Sequence, residues 1–394
     1  FFSFNGYGYS PSAFAYLAKR EGLLAAGIVD FDVLDGADEF LEAAVLLGFR
    51  ACTGIETRVY VPEFADREIN SPGEPGIAYH MGVGFVRSDA KDTAFLVRLK
   101  ESAQRRNRDI VARVNPYLAP VRVDFERDVL PLTPNGNATE RHICEAYARE
   151  AEARMTDDGE RADFWAQKLG EERAKVEKVL RDGPGMQALI RAKTMKRGGM
   201  GYVQPDGPSF PKLDAFNSFV RGEGAIPTIA WLDGTSAGEA DVAALLDFHA
   251  AHGALALNII PDRNWNVSND AERARKVGLL DAVVAAARAR HMPVFVGTEM
   301  NAHGQRFVDD FSVPTMLRHA GTFVDGAYIA HGHTMLERAA GMGYVSAWAE
   351  RYLENLSARY AFYREIGERL APGRKKSIEG TSERNTPAEI LARV

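Results

Sequence analysis

Short apolar runs that end near acidic residues recur along this chain and predict buried strands. One run covers 27–30 and ends at an aspartate, and another covers 50–60 and contains Glu56. Near the far end, the run 293–298 is followed directly by Glu299. Apolar runs of this length are typical of strands that are buried on both faces, as in parallel sheets.

Helical spacing separates the first two of these runs. Ser10 followed by Pro11 is typical of a helix start, with serine as the N-cap and proline in the first turn. A second helix is predicted at about 37–47, where apolar residues recur on one face and Gly48 ends the helix. A strand, a helix and a second strand in succession imply parallel pairing, so the sequence predicts an α/β fold.

The alternation is interrupted in the middle of the chain. After a predicted strand at 77–86, the sequence from 91 to 195 is charged and mostly helical, and 195–214 is a long loop rich in glycine and proline. Strand and helix patterns alternate again from the runs 226–232 and 254–260 onwards. The predicted organisation is a first part of a barrel at 1–90, a helical insertion with the long loop at 91–224, a second part of the barrel at 225–371 and a C-terminal surface extension at 372–394.

Composition narrows the class of protein. The 394 residues are 46% hydrophobic and 26% charged, and the formal net charge of −6 does not suit a general nucleic-acid-binding surface. No apolar run approaches the roughly 20 residues that a membrane span needs. The two cysteines exclude a disulfide scaffold, and a reducing cytoplasm is the expected location. The sequence leaves the oligomeric state open, a homo-oligomer included.

Acidic residues and one histidine gather at or near the predicted strand ends. They are Asp30, Asp32, Glu56, His80 and Glu299. Because strand ends meet at one rim of a parallel barrel, we expect these side chains to form a common site. Carboxylates and imidazole suit zinc, manganese or iron, and carboxylates also transfer protons. In the structural alternative, the acids cap helices or pair with arginines, and the histidine is an ordinary core residue.

Basic residues are candidates for binding an anionic substrate. Arg58 and Arg263 lie near predicted strand ends, and Lys196 and Arg197 precede two glycines beside the long loop. For the pair beside the loop, a solvated helix end is the alternative. The run 105–108, which contains three arginines, is interpreted as a solvated helix face.

His331 and His333 form an H-x-H motif. On a strand, the two imidazoles of such a motif share a face and commonly bind a metal. Here the motif precedes a predicted helix at 334–340, which places it in a loop or at a helix start. Capping or substrate contact is therefore preferred to metal ligation.

Five segments follow one another in an order that is known from a protein superfamily. The opening FFSFNGYGYSPSAFAYLAKREGL is similar to the stretch after an H-x-H strand end, so two histidines are expected immediately before Phe1. The segment GIVDFDVLDG is similar to I-T-D-H-D-x-x-x-G, with Phe31 in the histidine position, and 54–56 matches a G-x-E strand end. His80 follows on the next strand, and 297–301 is similar to a final G-S-D-x-H. The chain thus resembles the polymerase and histidinol phosphatase (PHP) superfamily.

This resemblance implies an α/β fold, a distorted (β/α)7 TIM-like barrel of PHP type with a helical insertion. Family members often bind up to three metal ions. The resemblance implies that the residues at the ligand positions of one of these ions are replaced by poor ligands in this chain. The positions that correspond to those ligands are Phe4 or Asn5, Phe31 and Asn301. We therefore expect that ion to be absent and one or two divalent ions, zinc, manganese or iron, to remain. The metal ligands that remain in this chain are Glu56, His80 and Glu299.

The resemblance also implies an activity, which is metal-dependent hydrolysis of a phosphate ester on a small phosphorylated substrate. Asp30, Asp32 and Glu56 are the predicted catalytic residues. Two alternatives stay open. One is a catalytically degenerate member that keeps the barrel and binds a ligand or partner, and the other is a metal-free hydrolase in which Glu56 and Glu299 act as a carboxylate pair.

Overall fold

The computed structural model describes residues 9–300, 305–372 and 377–394, and its architecture is α/β. The strands are Ala25–Phe31 (β1), Arg50–Tyr60 (β2), Ile77–Phe85 (β3), Ile226–Trp231 (β4), Ala256–Ile259 (β5) and Val294–Val296 (β6). The helices before β4 are Pro11–Arg20 (α1), Ala37–Leu47 (α2), Thr93–Leu118 (α3), Glu140–Arg154 (α4), Asp158–Leu169 (α5), Arg173–Val179 (α6), Gly183–Thr194 (α7) and Leu213–Gly222 (α8). The helices after β4 are Val242–Ala251 (α9), Asp262–Trp265 (α10), Asp270–Ala289 (α11), Pro314–Leu317 (α12), Ala320–Ala340 (α13), Ala347–Tyr352 (α14), Leu356–Arg369 (α15) and Pro387–Leu391 (α16).

The strands form one curled sheet, a half-barrel, in the order β1-β2-β3-β4-β5-β6. β1 pairs with β2 in parallel, which confirms the predicted strand–helix–strand unit. β3 runs antiparallel to both of its neighbours, whereas β4, β5 and β6 are parallel to one another. The parallel strands therefore end at one rim. The sheet has six strands within the described residues, and closure into a seven-stranded barrel stays a prediction.

Alternate side chains of each strand face opposite sides of this sheet. On the outer side, Ile55, Ile229 and Leu257 are buried in one cluster with residues of α8, α9 and α11. On the inner side, Met81 and Phe295 are buried in another cluster with residues of α13 and α15. Burial on both faces explains why the strand sequences show no polar alternation.

Helix α13 closes the sheet at the end opposite to the rim. Gly326 packs so closely on β6 that a Cβ atom there would lie 2.0 Å from the carbonyl oxygen of Val294. His333 lies in the middle of this helix, where its Nε2 donates to the carbonyl oxygen of Gly84 and its Nδ1 accepts the Tyr344 N–H. The expectation that the H-x-H motif lies in a loop or at a helix start was wrong, because α13 begins eleven residues before His331.

The insertion has a hydrophobic core of its own. Val114, Ile143, Trp165 and Ile190 are buried together between α3, α4, α5 and α7. A polar contact joins this unit to the sheet, since Asn137 Nδ2 donates to the carbonyl oxygen of Phe31 at 2.8 Å. The insertion is therefore fixed over the rim at the end of β1.

The C-terminal segment packs against the rest of the chain. Ile378 and Ile390 are buried in the cluster that contains α13 and α15. Trp348 Nε1 donates to the carbonyl oxygen of Asn385 at 2.8 Å. The sequence of this segment is polar and non-periodic, and for that reason a surface extension was predicted. The two buried isoleucines are too few to give a periodic pattern. In the described ranges, no helix has the length and apolar character that a membrane span requires.

The close packing of α13 on β6 leads to a prediction of stability. We expect Gly326→Ala to lower the free energy of unfolding by about 1–3 kcal/mol, because the new methyl group must displace the Val294 backbone. Urea denaturation followed by circular dichroism measures this loss. Gly321→Ala is the matched control, since this helical glycine has no atom within 4 Å of a Cβ, and it is expected to be neutral or slightly stabilising. Equal stability of the two variants would contradict the packing argument.

Candidate active site

Two carboxyl groups and one guanidinium meet at the rim of the sheet. Glu56 is close to the carboxyl end of β2, Glu299 follows β6, and Arg263 is on α10, just after β5. Arg263 Nη2 lies 2.8 Å from Glu299 Oε1, which is an ion pair. Glu56 interacts electrostatically with both of these residues. The structure thus brings together three of the residues that the sequence singled out.

These three side chains line a cavity of about 720 Å³, here called the chamber. Most of its other lining is apolar, including Phe31, Met81 and Phe295, and it extends along β1 as far as Leu24. A cavity of this size accepts a small molecule, and an apolar lining with a few polar groups is typical of ligand pockets.

Glu56 has an unusual pKa in this environment. Burial disfavours the charged form, and the charges of Glu299 and Asp32 add to that effect, so the pKa of Glu56 rises from 4.5 to about 8. The positive charge of Arg263 acts in the opposite direction. At neutral pH Glu56 therefore carries a proton that it is able to release.

The structure does not bring His80 to this cluster. Glu56 faces the inner side of the sheet, whereas His80 faces the outer side, because it is offset by one residue from the inward positions of β3. Its Nε2 donates to Asn217 Oδ1 at 2.8 Å, and its ring stacks on His249 with centroids 5.4 Å apart. His80 is fully buried. The prediction of His80 as a ligand beside Glu56 is corrected by this geometry.

The two aspartates of the first predicted catalytic group lie outside the chamber. Asp30 is buried and lines neither of the two cavities described here, because it points to the face of β1 opposite to Phe31. Asp32 follows the strand with a positive φ of 61°, and its carboxylate accepts a hydrogen bond from Thr57 Oγ1. Burial raises the pKa of Asp32, against the charges of Arg106 and Arg58.

Asp32 lines a second cavity of about 800 Å³ between the rim and the insertion, here called the cationic cleft. Three of the four predicted anion-binding residues, Arg58, Lys196 and Arg197, line this cleft, and Arg263 lines the chamber instead. Arg58 pairs with Glu74 at 2.9 Å. These basic residues therefore lie close to one another although they are far apart in the sequence.

Arg106 also lines the cleft, and the sequence analysis missed it. The run 105–108 was interpreted as a solvated helix face, but burial lowers the pKa of Arg106 to about 10, against the charge of Asp32. The sequence did hold a signal. Arg106 follows Leu99 and Ala103, both buried, at helical spacing, which places it towards the packed side of α3.

The donors described at the rim do not fit the expected metal site. Among residues 9–300, 305–372 and 377–394, no three His, Cys, Asp or Glu side chains are arranged to hold an ion. Phe31, at the position where the resemblance implies a histidine, adds an apolar ring to the chamber, and Arg263 forms an ion pair with Glu299. The positions Phe4, Asn5 and Asn301, which the resemblance related to a lost ion, lie outside the described residues.

Two solved structures are similar to this chain in fold. One is an amidohydrolase from Chromobacterium violaceum with bound sulfate and no metal; it is 15% identical, with a TM-score of 0.51 over 79% of this chain and 89% of that one. The other is a candidate metal-dependent phosphoesterase from Bifidobacterium adolescentis, 16% identical, with a TM-score of 0.48 over 80% and 92%. Neither the protein-family models nor the curated proteins gave a match. The first similarity establishes a shared fold over most of both chains.

The outward position of His80 leads to a prediction of pH dependence. Burial lowers the pKa of His80 from 6.5 to about 4, so between these values the unfolded chain binds a proton that the folded chain does not. Stability therefore falls as the pH falls from 6.5 to 4. His80→Gln keeps a donor for Asn217 and cannot titrate. We expect the slope of unfolding free energy against pH to decrease by about 1.4 kcal/mol per unit in this variant.

Chemical denaturation at a series of pH values measures these slopes. His291→Asn is the control, because His291 is exposed and its φ of 53° is well tolerated by asparagine. This control is expected to keep the slope of the wild type. An unchanged slope in His80→Gln would show that the imidazole is not buried in a neutral state.

Proposed function

We propose that this chain is a hydrolase whose reaction takes place at the Glu56–Glu299–Arg263 cluster, without the metal set of the PHP family. The single observation that carries the proposal is the buried Glu56 carboxyl, whose pKa rises to about 8 in a mainly apolar chamber beside the Glu299–Arg263 ion pair. Acidic groups with pKa values near neutrality, next to a partner of different protonation, are typical of acid–base sites. The shared fold is compatible with this proposal and does not carry it.

The three side chains have different roles in this proposal. Glu299, which forms an ion pair with Arg263, accepts a proton from water as the water oxygen attacks the substrate. Glu56 donates its proton to the leaving group, and the two carboxyl groups exchange a proton to restore the starting state. The guanidinium of Arg263 also stabilises negative charge that develops on the substrate.

The charges in the chamber indicate which bond is cleaved. A phosphoryl group placed between Glu56 and Glu299 would add negative charge where the described cation, Arg263, is already paired. We therefore propose that the scissile bond is a C–O or C–N bond in an uncharged part of a small substrate. Apolar residues such as Met81 and Phe295 would surround that part.

The second candidate is the metal-dependent phosphoesterase that the resemblance implies. One observation favours this candidate. The charges of Glu299 and Asp32 repel a charged Glu56, and a divalent cation would relieve that repulsion. Such an ion would supply a Lewis acid for a phosphate ester. The described residues offer it two nearby carboxylates, an arginine and no imidazole, so we place this candidate second.

A prediction for Glu56 tests the proposed function. The wild-type protein is first assayed against carboxylic esters, amides, glycosides and phosphate monoesters. With a substrate that is turned over, we expect Glu56→Gln to lower kcat by about 10²- to 10⁴-fold, because the general acid is lost. We also expect wild-type activity to fall above pH 8, where Glu56 loses its proton.

Glu337→Gln is the matched control. Burial also raises the pKa of Glu337, but its carboxylate accepts the Gly343 N–H at the closed end of the sheet, outside the chamber. Its kcat is expected to equal that of the wild type. If Glu56→Gln retains full activity, Glu56 is not the proton donor. If the wild type binds ligands and turns over none of the four substrate classes, the non-catalytic alternative is favoured.

Metal removal separates the two candidate functions. For protein purified without chelator and without a metal-binding tag, we expect less than stoichiometric zinc, manganese or iron by elemental analysis. Dialysis against EDTA is expected to leave kcat unchanged. One or two equivalents of metal, lost together with activity in Glu56→Ala, would contradict the proposal and favour the metal-dependent phosphoesterase.

A further inference from the structure

We propose that the cationic cleft holds a phosphate group of the substrate, while the uncharged part of the same molecule extends into the chamber. This inference rests on the proposed function for the position of the reaction. The phosphate is then a recognition group and is not itself cleaved.

The cleft and the chamber are neighbouring cavities that share lining residues. Phe31, Pro72 and Tyr79 contribute to both, and the ring centroids of Phe31 and Tyr79 are 6.4 Å apart. Tyr79 pairs in register with Arg58 on β2, and its side chain lines both cavities. The two cavities therefore adjoin at these rings, and a small molecule with one group in each cavity would pass Phe31 and Tyr79.

Two arginines are held in fixed positions on one wall of the cleft. Phe210 lies beneath both of them, with the guanidinium carbon of Arg58 4.6 Å and that of Arg106 4.7 Å from its ring centroid. Arg58 is further fixed by Glu74, and Arg106 by a hydrogen bond that its Nη1 donates to Ser102 Oγ at 3.1 Å. Stacked guanidinium groups are ordered before the ligand binds, so less entropy is lost on binding.

The basic residues that line the cleft outnumber the acidic residues that form ion pairs with them. Arg106 and Arg197 form no ion pair with any described residue. Arg191 and Lys196 share a single acid, Glu140, at 2.6 and 2.8 Å. Asp32 is the acid whose charge acts most strongly on Arg106, and the charges of both Arg106 and Arg58 act on this one carboxyl group.

This excess of charge favours phosphate over carboxylate. A monovalent carboxylate would satisfy one guanidinium, whereas a phosphate monoester carries a charge of nearly two and three oxygens that accept hydrogen bonds. Arg197 is exposed, lines the same cleft and lies close to Gly73, so its guanidinium is free to turn towards an anion bound there. The chain as a whole carries a net charge of −6, so the positive charge of the cleft is opposite in sign to that of the whole protein.

Binding of inorganic phosphate to the full chain tests this inference without any assay of catalysis. Isothermal titration calorimetry is used with phosphate and, in a separate arm, with benzoate, both at constant ionic strength. We expect saturable binding of phosphate and binding of benzoate that is at least tenfold weaker. Arg197→Ala, an exposed change that leaves the fold intact, is expected to weaken phosphate binding about tenfold, and Arg106→Gln by a similar factor.

Two controls separate this inference from the proposed function. Arg181→Ala removes an exposed arginine that pairs with Asp158 away from the cleft, and it is expected to bind phosphate as the wild type does. Glu56→Gln is also expected to keep phosphate binding while it loses turnover. Absence of saturable phosphate binding, tighter binding of benzoate, or an equal loss in Arg181→Ala would overturn the inference. Phosphate binding that depends on Arg197, together with full activity of Glu56→Gln, would support the cleft and overturn only the proposed role of Glu56.

Discussion

Each strand of a curled sheet presents only every second side chain to the inner side, and the chemistry of this site depends on that constraint. On β2, Glu56 and Arg58 have the inward parity, and Thr57 between them has the outward parity. On β1, Phe31 points to the inner side, so Asp30 is buried on the opposite side of the sheet. A shift of one residue in either strand would exchange the acidic and the apolar sides of the chamber.

The same parity explains why the site contains a carboxyl group of high pKa. Because Phe31, Met81 and Phe295 also point inwards, Glu56 lies in a mainly apolar space in which its charged form is poorly solvated. Glu299 instead forms an ion pair with Arg263. The chamber thus holds two carboxyl groups in different environments, one buried among apolar side chains and one paired with a guanidinium.

Part of this arrangement could be predicted from the sequence. The apolar runs that contain Glu56 or precede Glu299 predicted that both residues lie near one rim, since the ends of parallel strands meet there. His80 could not be placed, because the run 77–86 is apolar on both sides and carries no alternation from which a face can be read. Similarly, α13 is buried on many sides, so its helical period was hidden and the H-x-H motif was not recognised as helical. The cationic cleft is lined by residues as far apart in the sequence as Phe31 and Ser209, and no local sequence pattern indicates such a contact.

The insertion therefore has a role in the chemistry that its charged, helical sequence does not suggest. Asn137 and Gln104 hydrogen-bond to each other, and Asn137 also donates to the carbonyl oxygen of Phe31. Through this contact the insertion holds the end of β1, and hence the Phe31 ring, in the position between the two cavities. Arg106 on α3 and Asp32 after β1 both line the cleft and interact electrostatically, and Asp32 in turn raises the pKa of Glu56. Asp32 thus links the charges of the two cavities, because Arg106 and Arg58 act on the pKa of Asp32 and Asp32 acts on the pKa of Glu56.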